Sequence, residues 1–189
     1  KKNNNMLMTA EEYVAENSHV PACYDALGDV CVIFEHTESG YDIKFYCEIP
    51  NVLEAKSVVH CSTSEMFLSE FNEMKPVIDK WFVQLKKIYD SNINLVNSLT
   101  NEIDVDSLDK YIETPLRLSI GYTTISLGSY NGELIGFISD FRTDTFKTVI
   151  LTEDNVREIM ELNKEQNDYI KSINDEIDEL RHAATSSLL

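Results

Sequence analysis

Apolar residues along the chain change their period several times, and each change marks an element. Over Val30–Glu35 and Tyr41–Ile49 the pattern is that of strands. Tyr41, Ile43, Phe45, Cys47 and Ile49 alternate with Asp42, Lys44, Tyr46 and Glu48, which predicts one buried face. Glu38-Ser39-Gly40 joins the two runs, and Gly40 can take the positive φ of a tight hairpin turn. A third short strand is predicted over Ser57–Cys61. Residues 1–28 read as polar, with a short helix around Thr9–Glu16 and a loop near Pro21.

After Cys61 the period becomes helical. Ser62-Thr63-Ser64-Glu65 reads as a capping box, in which the Ser62 hydroxyl and the Glu65 carboxylate satisfy N–H groups that open a helix. Phe67, Phe71, Met74, Ile78, Trp81, Leu85 and Ile88 then recur in steps of four and three, the clearest periodicity in the chain. Pro76 interrupts this stripe, so either a bent helix or a break near Lys75 into two helices is expected. Helical character continues through Leu95 and Leu99, with a further turn over Leu108–Ile112 and an end at Pro115.

Strand patterns return over Leu116–Ile120, Tyr122–Leu127, Glu133–Phe141 and Phe146–Leu151, with a hairpin signal at Asn131-Gly132. Thr152 can cap a last helix running from about Glu153 to about Arg181, with Glu153 and Asp154 favouring the positive end of its dipole. The expected fold is α+β. Residues 1–152 form a sandwich- or barrel-like β-rich head with a helical hairpin inserted at about 62–114, and residues 153–189 form a C-terminal coiled-coil helix with a polar tail. A rival reading, two tandem repeats of three strands and a helix, aligns Gly40 with Gly132 and Lys56 with Lys147.

Val156, Ile159, Ile170, Ile173, Ile177 and Leu180 fall on the a and d positions of one heptad frame, with Asn163 and Gln166 as an intermediate polar pair. That spacing predicts a parallel two-stranded dimer whose seam includes Asn163, with Glu176 and Arg181 placed for an interhelical ion pair. Exposed, such a pair contributes about 0–1 kcal/mol and selects orientation only. The alternative is a helix lying on its own fold, since a core-facing helix shows the same stripe.

Charge narrows the partners. With 16 Lys+Arg against 33 Asp+Glu the net charge is −17, which repels phosphate backbones and anionic membranes. At most a weak or indirect nucleic-acid contact is expected. Cys23, Cys31, Cys47 and Cys61 lack metal-binding spacing and suit a reducing compartment. No apolar run approaches the roughly 18–20 residues that cross a bilayer. An intracellular location, nucleus or cytoplasm, is expected, with no membrane partner.

Catalytic chemistry has little to stand on. His60 and Cys61 are strand neighbours that point to opposite faces and cannot share a proton. Glu102, Asp104, Asp106 and Asp109 cluster without the Gly and terminal Glu of a calcium loop. His19, His36 and His182 have no metal spacing, and Lys80, Lys86 and Lys87 read as a polar helix face. The expectation is a non-catalytic protein without metal or cofactor.

Glu38-Ser39-Gly40-Tyr41-Asp42-Ile43 in the hairpin, Val59 to Glu65 passing from strand to helix, and Phe146-Lys147 to Met160 passing from last strand to last helix together carry a resemblance. A β-head with a helical insertion leading into a coiled coil resembles the superfamily of the DNA-ligase-IV-binding end-joining scaffold, with XLF and PAXX, and the centriolar cartwheel protein. The resemblance implies a homodimeric scaffold for DNA double-strand-break end joining, with other repair or assembly proteins as partners. Centriolar or cytoskeletal assembly is the alternative it implies, with Tyr130 and Phe146, beside hairpin turns, as candidate head contacts. Charge alone suggests a further alternative, an acidic inhibitor or nucleic-acid mimic.

Overall fold

The alternation at Tyr41–Cys47 becomes a strand with Tyr41, Ile43, Phe45 and Cys47 buried and Asp42, Lys44 and Tyr46 half-buried. In the structure, a computed structural model describing residues 7–48, 55–104 and 111–188, a short helix α1 (Ala10–Glu16) precedes β1 (Ala22–Leu27), β2 (Val30–Thr37), β3 (Gly40–Cys47) and β4 (Ala55–Cys61). Helix α2 (Ser64–Ser98) follows, then β5 (Tyr111–Ile120), β6 (Thr123–Tyr130), β7 (Glu133–Asp140), β8 (Thr145–Ile150) and helix α3 (Glu153–Leu188). The fold is α+β, with two four-stranded antiparallel sheets ordered β1-β2-β3-β4 and β5-β6-β7-β8.

Each sheet is a meander followed by a long helix, as in the tandem-repeat reading, but with four strands in each half where that reading has three. Gly40 closes the β2–β3 turn and Gly132 the β6–β7 turn, at equivalent places in the two meanders. The expected helical hairpin is corrected to a single helix, α2, of 35 residues with Pro76 inside it. Pro76 and Asn72 are both on the exposed side, so the Asn72 carbonyl that loses its partner at Pro76 can turn to water. The cap also moves by one residue: Thr63, not Ser62, accepts from the Met66 N–H through its hydroxyl and from the Phe67 N–H through its carbonyl.

Three further boundaries differ from expectation. β1 lies where a polar loop was read, because a register shift between Cys23 and Asp25 breaks the two-residue alternation. β5 begins at Tyr111, ahead of Pro115, which an edge strand tolerates at the irregularity between Glu113 and Arg117. α3 continues to Leu188, past Arg181. Residues 108–110 of the expected helical turn lie outside the described residues.

The chain divides into two compact units. One comprises the chain up to Leu85 together with the chain from Asn167 on; the other is Lys86–Gln166. Each long helix therefore gives one part to each unit. In the first unit Val32, Phe34, Ile43 and Phe45 are buried with Phe67, Phe71 and Trp81 of α2 and Ile170 and Ile173 of α3. Phe34 meets Phe67 and Phe71 edge-on at 5.2 and 4.9 Å. In the second unit Leu95, Val96 and Leu99 of α2 and Ile159 of α3 join Ile120, Ile125, Ile138 and Val149 of the sheet in one apolar cluster.

Candidate protein-binding groove

The heptad stripe of α3 is spent inside the chain. Ile170, Ile173 and Ile177 are at most 2% exposed in the first unit, and Ile159 is fully buried in the second. Val156 and Leu180 are half-buried. The two polar stripe residues serve the second sheet. Asn163 Nδ2 donates to the Ser119 carbonyl at 2.8 Å, and the buried Gln166 Oε1 accepts from the Gly121 N–H at 2.8 Å. Presenting this stripe to a second copy would require α3 to leave its own sheets.

The charged pair expected across two chains has partners within one. Glu176 Oε1 accepts from the Trp81 indole N–H at 2.7 Å, and Arg181 lies 3.6 Å from Asp178 on the same helix. Both are contacts of the first unit.

Where the N-terminal part of α2 and the C-terminal part of α3 flank each other in that unit, small side chains leave space. Glu70, Glu73 and Met74 from α2 and Leu180, Ala183 and Ala184 from α3 line a groove of about 340 Å³. Met74 and Ala184, both 2% exposed, are its apolar floor, while Glu73 and Ala183 stand exposed at its rim. Glu70 is buried at 8% exposure, close enough to the Cys61 thiol to raise its pKa. Burial first, then Glu70 and Asp42, push that thiol up to about 11. The groove thus combines an apolar floor with acidic walls.

Other sequence candidates are dispersed. Phe146 on β8 is 77% exposed, opposite Ser139, whereas Tyr130 is half-buried beside the β6–β7 turn, opposite Glu133. His60 is exposed, with Nδ1 2.6 Å from Asp42 Oδ1 and Nε2 3.2 Å from the Ser39 carbonyl, while Cys61 is fully buried on the opposite face. Lys80, Lys86 and Lys87 are exposed, and Lys86 pairs with Asp90 at 2.8 Å. Asp106 and Asp109 lie outside the described residues, among which no group of three or more His, Cys, Asp or Glu side chains is placed to share a metal ion. Likewise, no helix among them is long and apolar enough to cross a membrane.

An aromatic column at one end of the first sheet was not anticipated. His19 stacks on His36 at 4.2 Å, His36 on Tyr41 at 4.1 Å, and Tyr41 on Phe67 at 5.0 Å. The signal was present in the alternation Val32, Phe34, His36, which carries the inward face of β2 to its end.

No family model, curated protein or solved structure matches the chain, and nothing in these comparisons links it to the end-joining and centriolar superfamily.

Proposed function

We propose that the chain is a non-catalytic adaptor that holds a basic, amphipathic segment of a partner protein in the α2–α3 groove. The observation that carries this reading is the pairing of an apolar floor, Met74 and Ala184, with acidic walls, Glu70 and Glu73, on a chain of net charge −17. A helix in a groove is held by apolar anchors at helical spacing, while charge sets partner choice and encounter rate. This keeps the adaptor role expected from the sequence and narrows its partner to a cationic one.

The test is fluorescence anisotropy with a labelled helical peptide of Leu and Lys in amphipathic order, against a Leu/Glu peptide of the same pattern. The Leu/Lys peptide is expected to bind with salt-sensitive affinity, and Glu73→Lys or Ala183→Trp to weaken binding by about tenfold. Equal binding of the two peptides, or indifference to both substitutions, would sink the reading.

A second reading is the parallel coiled-coil dimer of an end-joining or centriolar scaffold, with a sandwich-like head. What favours it is the unbroken heptad spacing from Val156 to Leu180. It predicts a solution mass of about twice 21.6 kDa, and Ile170→Asp and Ile177→Asp variants that become monomeric with the head intact. In the adaptor reading the native mass is that of one chain, and both substitutions unfold the first unit.

A further inference from the structure

Two of the four cysteines form a pair that the adaptor reading does not use. Cys23 lies on the edge strand β1 opposite Ile33, and Cys31 lies on β2 opposite Ala26. Directly opposed residues share a face of a sheet, and Cys31 is two residues from Ile33, so both thiols project from one side. That side is opposite to the one where Val32 and Phe34 enter the core. Both cysteines are half-exposed, whereas Cys47 and Cys61 are fully buried. An extra residue at Tyr24 bends β1 between the two pairings.

We propose that Cys23 and Cys31 are a site of reversible oxidation, closing to a cross-strand disulfide when the protein meets a peroxide. The Cys31 thiolate attacks hydrogen peroxide: a sulfur–oxygen bond forms, the oxygen–oxygen bond breaks, and the departing hydroxide takes a proton to become water. Cys23 then attacks the sulfur of the resulting sulfenic acid. The sulfur–sulfur bond forms, the sulfur–oxygen bond breaks, and the second hydroxide leaves as water with the Cys23 proton. Two thiols and one peroxide give one disulfide and two waters, and a thiol reductant reverses the change.

The roles follow from the electrostatics of the pair. The neighbouring Cys23 thiol is the largest influence on Cys31 and lowers its pKa, against the opposing effects of burial and the Asp25 carboxylate. The Cys31 side chain, then burial, then the Cys31 and Asp25 charges raise Cys23. Cys31 is therefore the better thiolate and Cys23 the proton-bearing, resolving thiol. Cys47, pushed up to about 12 chiefly by burial, and Cys61 are shielded from the same reagent.

The experiment treats the reduced, full chain with hydrogen peroxide and maps peptides without reductant. The expected product is a monomer that has lost two hydrogens, with Cys23 joined to Cys31 and with Cys47 and Cys61 still reduced. Cys23→Ser should leave a Cys31 sulfenic acid that dimedone traps, and Cys31→Ser should slow oxidation of Cys23 by about tenfold. On the unsubstituted chain, iodoacetamide should modify Cys31 before Cys23, and that alkylation should block cross-linking, so the outcome does not depend on either variant folding. Intermolecular disulfides only, sulfinic acids at both cysteines without a cross-link, or equal alkylation rates would overturn the proposal.

Discussion

The Trp81 indole N–H donates to the Glu176 carboxylate at 2.7 Å, tying α2 to α3 within the first unit. Trp81 is 1% exposed, and a buried indole N–H without an acceptor would keep its full desolvation cost. Glu176, read from the sequence as one half of a link to another chain, satisfies that N–H instead. Trp81→Phe should cost about 1–3 kcal/mol, because it loses the bond and leaves the half-buried carboxylate without its donor. Glu176→Gln, which keeps an acceptor oxygen, should cost less. Urea denaturation followed by circular dichroism, which does not rely on the tryptophan signal, ranks the two.

Ile173 is fully buried among the residues of the first unit, while Lys171 on the same helix is exposed. Ile173→Ala should destabilise by about 2–5 kcal/mol, the cost of a large-to-small change in a close-packed interior. Lys171→Ala should change stability little. If Ile173→Ala leaves the denaturation midpoint where it was, the burial of the heptad stripe in its own chain is wrong.

Gly40 has φ +143°, and a Cβ there would stand 2.1 Å from the Cys61 carbonyl oxygen and 2.9 Å from Ser62 Cα. Both obstacles are backbone, which cannot rotate away. Gly132, at φ +80°, has open space around it. Gly40→Ala should therefore cost upwards of about 3 kcal/mol, strain and clash together, and Gly132→Ala only about 1 kcal/mol. Equal losses in thermal stability would mean that the β4–α2 junction is not packed against this turn.

Burial, with the Glu48 charge adding to it, holds the Asp29 carboxyl above its ordinary value of 3.8. Below 3.8 the group is protonated in both folded and unfolded chains. As pH rises from there through the folded value, the unfolded chain releases its proton first and stability falls. Asp29→Asn should thus raise Tm relative to the parent at neutral pH and lose that advantage near pH 3, which scanning calorimetry at the two pH values would test. A uniform shift at both would assign the effect to something other than this charge.

The same sign governs the buried thiols at the alkaline end. Cys61 and Cys47 are pushed up from 9.0 to about 11 and about 12, so their contribution is complete below pH 9 and is lost as pH rises through the folded values. The fall in Tm between pH 9 and pH 11 should be smaller in Cys61→Ala than in the parent, even though the variant starts from a lower Tm. A fall of the same size in both would remove Cys61 as its cause.

Elements with an uninterrupted period were legible in the sequence. Tyr41–Cys47 and the run from Ile170 to Ile177 each face the side that their spacing assigns. What failed were places where one residue interrupts the period. The bulge at Tyr24 concealed β1, Pro76 left one bent helix and two helices equally open where there is one, and Pro115 suggested an end where an edge strand passes through. The groove was illegible for another reason: Met74 and Ala184 meet only through the tertiary fold, and an Ala-Ala pair near the end of a helix carries no signal of its own. The a and d spacing of α3 places Ile159, Ile170, Ile173 and Ile177 in the interior, but a heptad does not say whether the apolar surface it needs comes from a second chain or from a sheet of the same one.

Because each long helix gives part of its length to both sheets, the order in which the chain emerges during synthesis matters. β1–β4 are made first, yet the residues that complete their core, Ile170, Ile173 and Ile177, are made near the end. The early meander must wait, with Val32, Ile43 and Phe45 only partly covered by α2, until α3 has left the ribosome. A nascent chain stalled anywhere in β5–β8 would therefore expose the apolar face of its first sheet, and that interval is when a holding chaperone would have most to grip.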